Sequence, residues 1–315
     1  MMNKRARGLD QYYTSTALAA KVAAVVRNLA PGIVFEGGTG GGAIYNLLPN
    51  PKFGVDVDRD TVNRLQLPGV ACESLFDVKA DDARFGAVAV QDRVFVSNPP
   101  FGLPGVMNAA LSVMQYIATE RVCGKMVVIV GRTMRKWSNM MRMPREWSIT
   151  EEHIPDSLAL NKFVDQSNGT TKTVKVVVQV WQYQPERLRA DPVFVDACAD
   201  FTVLSLKDHK QANLVVLQFG SIGTVFQKVW STPDELATVF AWQEKSTSHS
   251  GSHFWLRCTD PNAVKARIAA RKTEYVTYMT DTLVGNNITP NPRELISIYV
   301  HGSVPYTRPW PVRRF

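Results

Sequence analysis

Cysteine is scarce in this chain: four in 315 residues, Cys72, Cys123, Cys198 and Cys258, far apart and without a C-x-x-C pair. That excludes the usual signatures of a disulfide scaffold or a zinc cluster and fits a reducing compartment. Histidine is equally sparse, at five residues. Two of them fall in Ser248-His249-Ser250-Gly251-Ser252-His253, where no cysteine or carboxylate stands at ligand spacing, so no metal is expected. No apolar run approaches the roughly 18 residues of a membrane span. The N-terminal apolar segment is broken by Lys21 and Arg27 and lacks a signal-peptide layout. Repeats and low-complexity tracts are missing too. These absences predict a soluble, intracellular, cytoplasmic protein with neither metal nor membrane partner.

What is present reads as ordinary globular protein, with 45% hydrophobic and 20% charged residues. The length allows two domains. A net charge of +8 favours a polyanionic partner such as nucleic acid, although charge speaks to association and not to fold.

Along the chain, Ala17–Val26 has helical apolar periodicity, with Thr14 or Ser15 as N-cap and Pro31-Gly32 as its end. The short strand Ile33-Val34-Phe35 runs into Glu36-Gly37-Gly38-Thr39-Gly40-Gly41-Gly42, with a helical stretch expected over Ala43–Leu48. Five glycines in six positions permit positive φ and close approach of a ligand to the backbone, and N–H groups at a helix start attract polar or anionic groups. No Lys-Ser/Thr pair follows, so this is not a phosphate-binding loop of the G-x-x-x-x-G-K-[ST] kind. The strand Lys52–Asp58 ends in acids, as does the strand end expected at Ser74-Leu75-Phe76-Asp77. A carboxylate at such a place accepts from ribose hydroxyls, so loop, Asp56 and Asp77 outline a nucleoside pocket at strand C-termini.

Strand Arg93–Ser97 stops at Asn98-Pro99-Pro100-Phe101. Two prolines fix φ, remove N–H groups and hold the preceding residues extended, which stiffens the turn. A helix over Val106–Ile117 and a fully apolar strand, Lys125–Gly131, follow. Arg132–Arg145 is basic and methionine-rich, suited to a loop or helix over the site. Thr173–Trp181 alternates as a strand, paired with one near Trp147–Glu151 or Ala159–Val164. The β-α alternation predicts an α/β, doubly wound sheet. Gln184–Pro192 is polar and proline-bracketed and marks a boundary between a first domain over 1–184 and an α+β domain over 185–315. In the latter, Asp260 is the expected N-cap of a helix with Pro261 at its first position. Lys265, Arg267, Arg271 and Lys272 cluster there, and Arg308, Arg313 and Arg314 near the C-terminus.

Taken together in this order, Gln11-Tyr12-Tyr13-Thr14, Glu36–Gly42, Asp56, Asp77 and Asn98-Pro99-Pro100-Phe101 resemble the S-adenosylmethionine-dependent amino-methyltransferases of the DNA N6-adenine type. The match covers residues 10–183. It implies a Rossmann-like class I methyltransferase domain followed by a target-recognition domain, with S-adenosyl-L-methionine as cofactor. It implies cofactor contacts from Tyr13, Thr14, Glu36, Gly38, Gly40, Gly42, Asp56 and Asp77. Thr14 would touch the methionine end, Asp56 the ribose and Asp77 the adenine amino group. Gly37 departs from the proline usual at that place. Asn98, Pro99, Pro100 and Phe101 would form the catalytic turn, and Phe163 a second aromatic over the target base. Arg267 and Arg271 are the basic residues expected to grip substrate phosphates. The implied reaction methylates adenine in nucleic acid, DNA ahead of RNA, with base flipping from a duplex. Two alternatives remain: an RNA or protein-glutamine amino-methyltransferase, and a catalytically silent nucleic-acid-binding module.

Overall fold

The computed structural model describes residues 12–100, 109–157, 159–165, 169–190, 194–217, 229–245, 253–282, 292–302 and 310–315. The chain divides into two compact units, Met1–Asp191 with Arg308–Phe315, and Pro192–Thr307.

The first unit opens with strand β1 (Tyr12–Thr14) and helix α1 (Thr16–Asn28). Ser15 is the N-cap, its Oγ accepting from the Leu18 N–H at 3.3 Å. Leu18, Val22, Val25 and Val26 are buried on the face that the periodicity selects. Then follow β2 (Ile33–Gly37), β3 (Lys52–Asp56), α2 (Arg59–Leu65), β4 (Val70–Cys72), β5 (Arg93–Ser97), α3 (Ala109–Thr119) and β6 (Lys125–Gly131). The five strands β2 to β6 lie parallel in the order β4-β3-β2-β5-β6. The chain moves outward from β2 to β4, then returns to the other side of β2 for β5 and β6. The fold is therefore α/β, doubly wound and Rossmann-like, and its strand order reverses between β2 and β5. At such a reversal the loops leaving the two strands diverge and open a crevice beyond their C-terminal ends.

Helix α4 (Trp137–Met140) and strands β7 (Trp147–Ile154), β8 (Lys162–Asp165), β9 (Thr171–Thr173) and β10 (Val176–Tyr183) complete this part of the chain. β10 runs antiparallel between β6 and β7, so its partners are those two strands and not the 159–164 segment. Its residues Val176 to Trp181 are buried whichever way they point, because a central strand is covered on both faces. Gln179 is tolerated there by full pairing: its Nε2 donates to Glu152 Oε1 at 2.8 Å and its Oε1 accepts from Trp181 Nε1 at 3.1 Å. Glu152 also takes Arg135 Nε at 3.2 Å, both side chains being buried. β8 pairs instead with β1 and β9 in a separate three-stranded sheet.

Three expectations change. No α-helix follows the glycine loop; Tyr45–Leu47 is one 3-10 turn, and Leu48 is extended before Pro49, as a residue preceding proline prefers. Of the segment 132–145, expected over the site, Met134, Arg135, Trp137, Met140 and Met143 are buried, and none of its residues lines the cavity at the strand ends. Helix α2 falls where no helix was expected; Asp58 caps it, accepting from the Thr61 N–H at 3.3 Å.

The second unit is α+β. It holds β11 (Phe201–Leu204), β12 (Leu214–Leu217), β13 (Val229–Trp230), α5 (Pro233–Lys245), β14 (His253–Cys258), α6 (Pro261–Ala270), α7 (Lys272–Thr282) and α8 (Pro292–His301). The sheet is antiparallel in the order β11-β14-β12-β13. Asp260 caps α6 as expected, its Oδ1 accepting from the N–H groups of Asn262 and Ala263 at 3.0 and 3.1 Å.

The domain expectation changes at both ends. Arg189 is buried and donates to the Trp147 and Met143 carbonyls at 2.9 and 3.0 Å, which holds the chain up to residue 190 in the first unit. The C-terminal strand β15 (Val312–Arg314) also belongs to the first unit and pairs parallel with β7. There Arg313 Nε meets Glu151 Oε1 at 2.5 Å and the Phe315 ring stacks on His153, centroids 4.8 Å apart.

Candidate active site

A cavity of about 340 Å³ opens at the strand-order reversal, beyond the C-terminal ends of β2, β3 and β5. Three sides are chemically distinct. The glycine loop with Asp56 forms one, residues 73–76 a second, and Asn98-Pro99-Pro100 with Tyr13 and Thr14 the third.

The loop's shape follows from its glycines. Gly38, Gly40 and Gly42 take φ of +75°, +49° and +74°, which side chains other than glycine adopt at a cost. Gly37 explains the missing proline, since a Cβ there would lie 2.8 Å from the Phe95 ring. The loop is tied down by its own N–H groups: Gly38 and Thr39 donate to the Val55 carbonyl at 2.8 and 3.2 Å, and Gly40 to Asp56 Oδ2 at 2.7 Å. Asp56 Oδ1 takes the Asp58 N–H at 2.8 Å. These donors are committed to the end of β3, and no helix dipole stands behind them. Of the polar or anionic groups expected at this loop, the lining favours the polar ones, because its described charged groups are carboxylates. Among the described lining residues are two acids, Asp56 and Glu73, and no Lys, Arg or His.

Glu36 lies buried at the end of β2, 2% exposed, and does not line the cavity. Burial first, and the neighbouring Asp56 carboxylate second, push its carboxyl well above the ordinary 4.5. Asp56 is also raised, by burial, with its backbone hydrogen bonds pulling the other way. Between the ordinary value and the raised one, folded Glu36 keeps a proton that the unfolded chain has released. Its contribution to stability therefore falls as pH rises through that window. Glu36→Gln is expected to remove this decline, gaining on the wild type by up to about 1.4 kcal/mol per pH unit within that window in denaturant titrations over a pH series. A constant difference between the two proteins across pH would refute that assignment.

Tyr13 covers the loop. A Cβ on Gly41 would stand 2.9 Å from the Tyr13 ring, and one on Gly40 3.1 Å. Gly41→Ala is thus expected to cost about 1–3 kcal/mol by overpacking. Tyr13→Ala in the same chain should cancel most of that cost; additive effects in the double-mutant cycle would show that ring and loop do not touch.

On the second side, Asp77 does not take the place expected of it. It is exposed in the 3-10 turn Leu75–Asp77 and does not line the cavity, whereas Glu73, Ser74, Leu75 and Phe76 do. Turn geometry decides this, because Asp77 N–H closes onto the Ser74 carbonyl at 3.0 Å. Glu73 is held by Arg84 Nη2 at 2.5 Å, and Phe76, 44% exposed, sits edge-on to Tyr116 with centroids 5.0 Å apart. The sequence signal for both was the apolar-acidic stretch ending at Asp77, read a few residues too late.

On the third side, Ser97 Oγ donates to the Gly37 carbonyl at 2.7 Å, joining the ends of β5 and β2. Asn98, Pro99 and Pro100 line the cavity, and Asn98 Nδ2 donates to Thr14 Oγ1 at 3.0 Å. Phe101 lies outside the described residues. Gly42 closes the loop but does not line the cavity.

Three expected substrate residues stand elsewhere. Phe163 is fully buried in the core with Leu18, Val22 and Val178, so its ring has no face for a base; this corrects the stacking expectation. Arg267 lies over the Tyr299 ring, donates to the Tyr299 and Val300 carbonyls at 3.2 and 3.3 Å and meets Asp200 at 3.5 Å. Arg271 meets Glu274 at 3.3 Å. Neither arginine lines the cavity.

No family profile matches the sequence, and no curated protein does. Among solved structures, the chain is similar to a Pyrococcus horikoshii protein provisionally described as an RNA methyltransferase, at 16% identity over 56% of this chain and 88% of that one, TM-score 0.42. It is similar to the 23S rRNA methyltransferase ErmE at 11% identity over 92% and 98%, TM-score 0.38. A third is the E. cuniculi Mtq2-Trm112 complex, responsible for methylation of the eRF1 translation termination factor, at 15% identity over 56% and 99%, TM-score 0.38. Likenesses of this size carry nothing about what the present chain binds or does.

Proposed function

We propose that this protein is an S-adenosylmethionine-dependent methyltransferase acting on the exocyclic amino group of adenine in nucleic acid, DNA ahead of RNA. One observation carries the reading: Asn98-Pro99 at the end of β5 opens onto the same cavity as the glycine loop and Asp56, at the reversal of strand order. The lining suits this cofactor. Carboxylates, with no basic side chain among the described lining residues, fit ribose hydroxyls and cationic groups better than a pyrophosphate. Glu73 and Phe76 offer an acceptor and a ring face for a nucleobase, in place of Asp77. S-adenosylmethionine supplies the methyl group as an electrophile.

The chain's own part is to make an aromatic amine reactive. The amine lone pair is delocalised into the ring, which makes it a poor nucleophile. Asn98 Oδ1 and the Pro99 carbonyl would accept its two N–H groups, favour a tetrahedral nitrogen and stabilise the positive charge that develops there. Pro99 and Pro100 keep those acceptors rigid, and Phe101 would stack on the base, worth about 1–3 kcal/mol. A duplex target would be flipped out, at a few kcal/mol.

The net charge of +8 supports a polyanionic acceptor. Target recognition would fall to the second unit. At Arg267 and Arg271, phosphates would draw on guanidinium N–H groups not already given to Tyr299, Val300 and Glu274. The test is transfer of labelled methyl groups to matched single-stranded DNA, duplex DNA and RNA oligonucleotides, with cofactor binding followed by calorimetry. Transfer to DNA above RNA is the expected result; cofactor binding without transfer to any nucleic acid would reject it.

A further inference from the structure

β1 does more than border the cofactor loop. Its two adjacent residues touch two parts of the site: Tyr13 lies against Gly40 and Gly41, and Thr14 takes the side-chain amide of Asn98. The strand itself is well anchored. Thr14 pairs with Phe163 of β8, whose ring is fully buried, and Tyr13 Oη lies 3.4 Å from Thr61 Oγ1. A primary amide carries its oxygen and nitrogen on opposite branches of one plane. With Nδ2 given to Thr14, Oδ1 lies on the other branch of that plane, turned away from the Thr14 hydroxyl. An amide rotated by half a turn would set –NH₂ where an acceptor is needed, and two donors would face each other across the incoming amine.

Resting on the reading of Asn98 above, we infer that Thr14 is a positioning residue. Its hydroxyl holds the Asn98 amide in the orientation in which the carbonyl oxygen can receive the substrate amine. This role is separate from any contact of Thr14 with the cofactor, and it joins the cofactor loop to the amine site through one three-residue strand.

Two measurements test it. In protein labelled with ¹⁵N-asparagine, the Asn98 side-chain pair is identified by its loss in Asn98→Asp. Its exchange with solvent should quicken roughly tenfold in Thr14→Val and in Thr14→Ala, and stay near the wild-type rate in Thr14→Ser. This readout needs no activity. In methyl transfer to an adenine-containing oligonucleotide, Thr14→Val should lower kcat roughly tenfold with KM for S-adenosylmethionine within about twofold, and Thr14→Ser should restore kcat. Unchanged amide exchange in both Thr14→Val and Thr14→Ala overturns the inference. So does a loss that Thr14→Ser fails to rescue, or one that falls on cofactor KM alone. Transfer that survives Asn98→Ala would overturn the site reading itself, which separates that failure from one confined to Thr14.

Discussion

Asn98→Ala is expected to cut methyl transfer by roughly 10²–10³-fold while the affinity for S-adenosylmethionine stays within about twofold. The effect is large because an acceptor aimed at charge that develops only as the bond forms contributes to the transition state and little to binding. Cofactor affinity survives because, Thr14 apart, groups proposed for it, namely the glycine loop, Asp56 and Glu73, hold their places through other bonds. Gly38 and Thr39 are fixed by Val55, Gly40 by Asp56, and Glu73 by Arg84. None of these depends on the Asn98 side chain, whose described bond runs to Thr14. Calorimetry alongside initial rates separates the two quantities. Loss of both together would make Asn98 a binding or folding residue.

Phe163→Ala is expected to destabilise the first unit by about 3–5 kcal/mol, the range for emptying a buried phenylalanine site. The ring belongs to the buried cluster that also holds Leu18, Val22, Leu160, Val176 and Val178, and the Thr14 to Phe163 register holds β1 in place. Phe163→Leu keeps most of the volume and should cost much less. A base-stacking residue would behave otherwise, leaving denaturation midpoints alone and raising KM for the oligonucleotide. Denaturant titration of the two variants against transfer kinetics at low temperature distinguishes the roles.

Phe163 also marks where sequence stops being legible. Asn161-Lys162-Phe163-Val164 shows an aromatic beside polar residues, and whether the ring turns inward depends on pairing with β1, a contact across 149 positions. Local chemistry decides the helix caps: Ser15 and Asp260 accept at the starts of α1 and α6. The glycine loop, Asp56 and the Asn98 turn line one cavity because the sheet brings their strand ends together. Loss of the helix after Gly42 depended on Pro49, which lies beyond the apparent helical run. Glu73 and Phe76 replaced Asp77 because a single 3-10 turn rotates the stretch, and acid-ending patterns do not show that rotation. One-dimensional charge does not reveal that Arg267, besides any phosphate it would meet, already serves the end of α8. The return of β15 to the first sheet is a long-range pairing with no local sign.

The most direct test uses S-adenosylmethionine carrying a trideuterated methyl group, followed by mass spectrometry of nucleosides digested from treated DNA and RNA. The account predicts trideuteromethyl on the adenine amino nitrogen with wild-type protein, more from DNA than from RNA, and loss of that product with Asn98→Ala. Labelled adenine absent from both nucleic acids, while the protein binds the cofactor, would contradict it.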